Sequence, residues 1–146
     1  MIEAASHQIA ELIDELSLAA RIEAGRYEPV LRDADTLELA RAAAGRLGSE
    51  RVHVSGDGAV VQTDVEAVDR GVSALVQATL RHGGLDEVSV AARGAEIEVS
   101  PVTESSARVV LGQDLRDLGA AVAVRLIHAL GGTSEVVDGK LTIRLV

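Results

Sequence analysis

Cysteine, tryptophan and phenylalanine are all absent from the 146 residues. Without cysteine there are no disulfides, thiolate nucleophiles or cysteine-based zinc sites. A reducing compartment is compatible with this. Aromatic residues reach 1%, with Tyr27 the single example. No row of rings is available on which single-stranded bases stack, and the core must be built from Leu, Ile, Val and Ala. Positive charge is also scarce. Thirteen Arg and one Lys (Lys140) face 23 acidic residues, for a net charge of −9. Binding to a phosphate backbone needs a positive face, and no Lys/Arg run is present, so a nucleic-acid partner is not expected. No apolar stretch reaches the roughly 18 residues of a membrane helix, and the most apolar one, Leu118 to Leu130, contains Arg125 and His128. The first residues show no basic region followed by an apolar one, the pattern of a signal peptide. The expectation is a soluble, cytoplasmic chain with no membrane insertion.

What is present describes a globular protein. Hydrophobic residues make up 47% and charged residues 25%, and the length suits one domain plus an appended element. Ile2, Ala5, Ile9, Leu12, Leu16 and Ala19 are spaced 3, 4, 3, 4, 3, a heptad seam on one helix. Ile13 and Ala20 widen it, and Gly25 is a plausible stop. A single helix cannot bury such a stripe alone. It needs a partner helix, or it lies on the following domain. Domain boundaries are set at 1–26 for this helix and 27–146 for the rest.

Tyr27 to Arg32 reads as extended, with Pro29 breaking any helix. Asp35 and Glu38 open a helix to about Leu47, with Leu37, Ala40, Ala44 and Leu47 inward. Arg51 to Ser55 reads as a strand, Gly56-Asp57-Gly58 as a turn and Ala59 to Gln62 as the return strand. Thr63 with Glu66 begins a long helix to about His82, with Val65, Val68, Val72, Leu75, Val76 and Thr79 inward. Strands at Glu87–Ala92 and Glu96–Val99 follow. Pro101 to Val110 reads as loop. A helix from Asp114 or Asp117 runs to Leu130, and a hairpin with an Asp138-Gly139 turn closes the chain. The order predicts an α/β two-layer sandwich, with one mixed sheet and helices on one face.

Several of these segments, in this order, resemble the core of sensor histidine kinases. Ile9 to Tyr27, IAELIDELSLAARIEAGRY, is similar to the end of their second dimerisation helix, with Arg21, Glu23 and Gly25 matching R-x-E-x-G. Asp64 stands where the family places an Asp ahead of the long helix. ALVQATLRHG, Ala74 to Gly83, overlies the N-box, and Leu118 to Gly132 overlies the second glycine box and its helix. The resemblance spans nearly the whole chain. It implies a histidine-kinase-like ATPase fold of the GHKL type preceded by a dimerisation helix.

The departures from that pattern carry the functional expectation. The family's magnesium-ligating Asn falls on Ala78, and a methyl group offers no oxygen to a hard cation. The Asp that would accept from adenine falls at or near Pro101. Asp117 replaces a phosphate-facing glycine, and Gly119 remains. Arg81 and His82 occupy the N-box Lys/His positions, where a nucleotide phosphate would be contacted. Helix N-termini bind phosphate through free N–H groups, but an adjacent carboxylate opposes this. Phosphoryl transfer depends on metal-aided positioning, so no catalytic residues, no metal and no cofactor are expected, with ATP and magnesium only if the degenerate site still binds. The family's phosphoacceptor motif is absent. His7 lies off the seam and reads as a solvated helix residue. His53, His82 and His128 form no H-x-x-x-H pair. The acidic pair Asp114 and Asp117 reads as a solvated face. No G-x-S-x-G, P-loop or G-x-G-x-x-G occurs.

The reading is a non-catalytic, pseudokinase-like signalling module. It would act as a homodimer and bind a response regulator or another kinase, with Glu11, Glu15 and Arg21 as contact candidates. The alternatives are a histidine phosphotransfer protein using His7, a divergent ATP-binding histidine kinase domain, or a structural remnant, since fold alone does not imply function.

Overall fold

A computed structural model describes residues 2–48, 50–114 and 116–145, with the side chains of residues 2–9, 11, 12 and 15 outside the described set. Twelve elements are described: α1 (Ile2–Glu23), β1 (Arg32–Asp35), α2 (Thr36–Leu47), β2 (Val52–Gly58), β3 (Val60–Thr63), α3 (Val65–Gly83), β4 (Val88–Gly94), β5 (Glu96–Ser100), α4 (Glu104–Val110), α5 (Leu118–Ala129), β6 (Thr133–Val137) and β7 (Lys140–Arg144).

Five strands form a mixed sheet in the order β2-β4-β5-β7-β6. Only β2 and β4 run parallel, with Val52 opposite Val88; the other neighbours are antiparallel. The alternation of strands decides the layers. Val88, Val90, Ile97, Val99, Leu141 and Ile143 are buried on the helix face, while Ser89, Glu98 and Thr142 point the other way. Val68, Val72, Leu75 and Val76 of α3 and Ala120, Val124 and Ile127 of α5 share that core. Every large side chain in it is aliphatic. The β6–β7 turn is the Asp138-Gly139 pair, with φ of 52° and 72°, as a two-residue hairpin turn with positive φ at both centres requires.

The architecture matches the expected α/β sandwich, with four local corrections. First, Gly56-Asp57-Gly58 is not a turn. β2 runs straight through it, and the glycines serve close approach: a Cβ on Gly56 would meet the Ala92 carbonyl oxygen at 2.1 Å, and one on Gly58 would meet the Asp35 Oδ1 at 2.3 Å. Second, β3 therefore does not return along β2. It pairs with β1 in a separate two-stranded ribbon. Buried Thr36 ties the ribbon to the sheet, donating to the Gly94 carbonyl at 2.6 Å and accepting from the Ala59 amide at 3.1 Å. Third, α3 is capped by Asp64, whose Oδ1 accepts from the Ala67 amide, while Thr63 is buried in β3. The inward side of α2 is likewise shifted, to Thr36, Leu39, Ala40, Ala43 and Ala44, with Leu37 and Leu47 half-buried. Fourth, the segment after Pro101 holds α4. Its start is a capping box in which the Thr103 amide donates to the Ser106 Oγ at 3.1 Å, and it buries Val109 and Val110 completely. A single turn of apolar pattern is too short to distinguish from loop.

Helix α1 packs on α5. Its docked side is Leu18 and Ile22, both half-buried, whereas Ile13 and Leu16 are 59% and 50% exposed. Leu16 and Leu18 lie about 200° apart around the helix. Of the described seam residues, Leu16 therefore does not face the domain. Ile2, Ala5, Ile9 and Leu12 have side chains outside the described residues, as does His7; Ala19 is half-buried. Two contacts fix the joint: Arg125 to Glu23 at 2.5 Å, on the surface, and the Tyr27 hydroxyl donating to Asp64 Oδ2 at 2.6 Å. Among the described residues no helix is long and apolar enough to cross a membrane.

Candidate functional site

Of the residues singled out in the sequence, His82 and Asp117 meet where α3 ends and α5 begins, beside the start of α4. Why they meet there follows from local chemistry. Gly84 takes a left-handed conformation (φ 61°) and the Leu85 amide bonds the Leu80 carbonyl at 3.0 Å, a glycine stop that sets where α3 terminates. Arg81 and His82 fall in its last turn, where positive charge is favoured. The Ser105 hydroxyl of α4 donates to the His82 carbonyl at 2.8 Å, satisfying one of the last carbonyls of α3.

Asp117 is the N-cap of α5. Its Oδ1 accepts from the Ala120 amide at 3.1 Å, and its Oδ2 lies 3.2 Å from the His82 Nε2. The two side chains are only 14% and 17% exposed. Asp117 is thus no solvated carboxylate, contrary to the sequence expectation. It occupies the start of α5, where a free helix end would otherwise attract an anion, and it spans to α3. His82 faces this carboxylate. Asp114 has its own partner, Arg116, whose backbone amide, Nε and guanidinium NH2 group all reach it at 2.8–3.0 Å. The backbone amide in particular holds the Asp114 carboxyl below its ordinary value.

Ala78 is fully buried, so this position belongs to the core and not to a cleft wall. Pro101 is exposed, follows a cis peptide bond, and leads into Val102, whose amide bonds the Gly139 carbonyl at 2.7 Å. Arg81 is exposed, and Gly119 half-buried. Gly119 and Ala74 line a cavity of about 50 Å³ together with Leu18, Gly71, Ala123 and Leu126. Sites for small molecules enclose roughly 300–1,000 Å³. Among the described residues, no group of three or more His, Cys, Asp or Glu gathers in a metal-binding arrangement. At the positions where the resemblance places the magnesium ligand and a phosphate-facing glycine, the chain presents a buried methyl group on Ala78 and the Asp117 carboxylate at the start of α5.

Sequence reasoning left the docking of α1 on the following domain open and did not identify the face that makes it. The signal was present in Leu18 and Ile22, four residues apart and off the seam. Tyr27 was also missed. Partial burial, reinforced by donation to Asp64, raises its hydroxyl pKa above the ordinary tyrosine range.

No protein-family model matches the chain, and no curated protein does. Solved structures do. The Acinetobacter baumannii histidine kinase AdeS matches with a TM-score of 0.70 and 15% identity, over 96% of this chain and 79% of that one. The cytoplasmic segment of histidine kinase QseC gives 0.66 and 10%, over 99% and 92%. The ATP binding domain of PrrB from Mycobacterium tuberculosis gives 0.60 and 22%, over 79% and 96%. The fold is therefore that of the sensor histidine kinase core, an ATPase-type α/β sandwich. At these identities the likeness carries the fold and leaves activity to the residues.

Proposed function

We propose that this chain is a non-catalytic histidine-kinase-like module of two-component signalling, with nucleotide binding lost or weak, that works by dimerising and by binding a response regulator or another kinase. The single observation behind this reading is the Asp117 carboxylate. It caps α5 with one oxygen and meets His82 with the other, closing the end at which a nucleotide would enter this fold. Buried Ala78 and exposed Pro101 support the same reading. Dimerisation is supported by α1, which docks on its own domain through Leu18 and Ile22 while leaving Ile13 and Leu16 exposed on another face. On this reading one helix offers one face to its own domain and another to a second helix.

Titration with ATP and magnesium tests the first half. A ligand that binds only the folded state raises its melting temperature, so the expected result at millimolar nucleotide is no shift. A magnesium-dependent rise would make this a divergent ATP-binding domain. Sedimentation of the Ile13→Asp, Leu16→Asp double variant tests the second half. The expected outcome is a monomer from a parental dimer; a variant that stays dimeric shows that another surface holds the copies together.

A further inference from the structure

At the opposite end of β5, a groove of about 810 Å³ is lined by Val60, Val61 and Gln62 on one side and by Ala95, Thr133 and Arg144 among its other residues. Side chains of a strand alternate between two faces, so a groove bordered by three consecutive residues of β3 runs along that strand's edge. The other edge is taken by β1. Among the described residues β3 has no second neighbour. Val60 is 66% exposed. The far wall includes Ala95 and Gly131, a methyl group and a bare backbone, which leave room for a second main chain. Among the described residues Arg144 is the only charged member of the lining. It forms no ion pair within 4 Å among them, its cross-strand neighbour Glu96 included.

From this we infer that the groove is a docking site for an extended peptide segment of a partner protein that adds as a strand to the free edge of β3 and places a carboxylate on Arg144. Free strand edges template such addition, with main-chain hydrogen bonds giving affinity and alternate side chains giving specificity. The four residues of β3 offer about 13 Å of edge at roughly 3.3 Å per residue, enough for a short segment. The single cation selects for an acidic side chain in a chain whose net charge is −9. The inference does not depend on whether the Asp117 end binds nucleotide.

Selection of displayed nonapeptides against the full chain tests it, followed by amide-shift mapping and anisotropy with the enriched peptide. The expected peptides are rich in β-branched residues and carry Asp or Glu. Their shifts should centre on Val60–Gln62, Ala95 and Thr133. Arg144→Gln should weaken binding about 5–10-fold, the scale of one charge-assisted hydrogen bond. Replacing the peptide's carboxylate by its amide should cost the same, with no further loss in the Arg144→Gln background. Val60→Glu, at an exposed position that tolerates the change in the fold, should weaken binding at least about tenfold by opposing the ligand's charge. An unenriched selection, enriched peptides without carboxylates, shifts centred on α1 or on the Pro101 end, or indifference to Arg144→Gln would each overturn the inference. So would concentration-dependent self-association abolished by Val60→Glu, which would make a second copy the occupant.

Discussion

The two ends of β5 are built on opposite plans. At the Pro101 end the polar groups are paired: Asp117 uses both oxygens, α4 ties back to α3 through Ser105, and Ala78 is sealed in the core. At the Ala95 end a strand edge, an exposed valine and an arginine with no ion pair among the described residues border open space. The resemblance to kinases directs attention to the first end, where the polar groups are already paired. The second end has no counterpart in any motif, yet it has the groove. The fold therefore directs attention to one end, and the packing to the other.

The sharpest way to break this contrast is to restore the family's residue at the closed end. Ala78→Asn forces an amide into a fully buried position. Overpacking and an unsatisfied polar group each cost about 1–3 kcal/mol, so a loss of roughly 3–5 kcal/mol is expected, or a fall in Tm of about 10–15 °C. Thermal denaturation measures it. A variant that melts normally and gains magnesium-dependent nucleotide binding would show that the closed end is a cleft one residue from function.

Next in size is Asp117→Ala, which removes the cap of α5 and the partner of His82 together. Loss of an N-cap costs about 1–2 kcal/mol, and Tm should fall by roughly 3–8 °C. A His82→Gln change in the Asp117→Ala background should add little if the two side chains act as a pair, as a double-mutant cycle would report. Full additivity would mean that the 3.2 Å approach has no energetic content.

The difference between the two ends also explains what could be read from the sequence. Long periodic segments were legible. The inward side of α3, the alternation of β4, β5 and β7, and the Asp138-Gly139 turn all follow from apolar spacing and turn chemistry. What failed were glycines and short pieces. Gly56 and Gly58 look like a turn, because sequence does not distinguish a glycine that reverses the chain from one that stays in a strand, as Gly56 does at a φ of 99°, and lets Ala92 or Asp35 come close. α4 has too few residues to show a period. The site residues were legible by type but not by partner. That Asp117 opens α5 was one of the two starts the sequence offered; that it also meets His82, 35 residues away, depends on where α3 stops. The groove was illegible, since an unpaired edge of β3 exists only once β1, and not β2, is known to be its neighbour.

Tyr27 joins the segment after α1 to the start of α3 and gives a smaller, pH-dependent effect. Its pKa is raised in the folded chain because burial and the Asp64 carboxylate both favour the neutral phenol. The stability this contributes is complete below the unfolded tyrosine value near pH 10 and is lost as pH rises above it. Tyr27→Phe removes the hydrogen bond, for about 1 kcal/mol at neutral pH. The gap between the two proteins in denaturant midpoint should then narrow above about pH 10. A gap that is constant through about pH 11 would mean that the hydroxyl is not held by Asp64.

The smallest expected effect belongs to the open end, and its smallness is the point. Arg144 is exposed, lies at the end of β7 and has no ion-pair partner among the described residues, so Arg144→Gln removes no buried contact. Surface changes of this kind stay within about 0.5 kcal/mol, and chemical denaturation should barely separate the variant from its parent. A loss above about 1.5 kcal/mol would place Arg144 in the structural framework, through its neighbour Glu96 or the start of β6. The open end would then serve stability as much as the closed one does. A near-zero cost leaves an arginine that folding does not need, at the mouth of a groove, with its charge available to a partner.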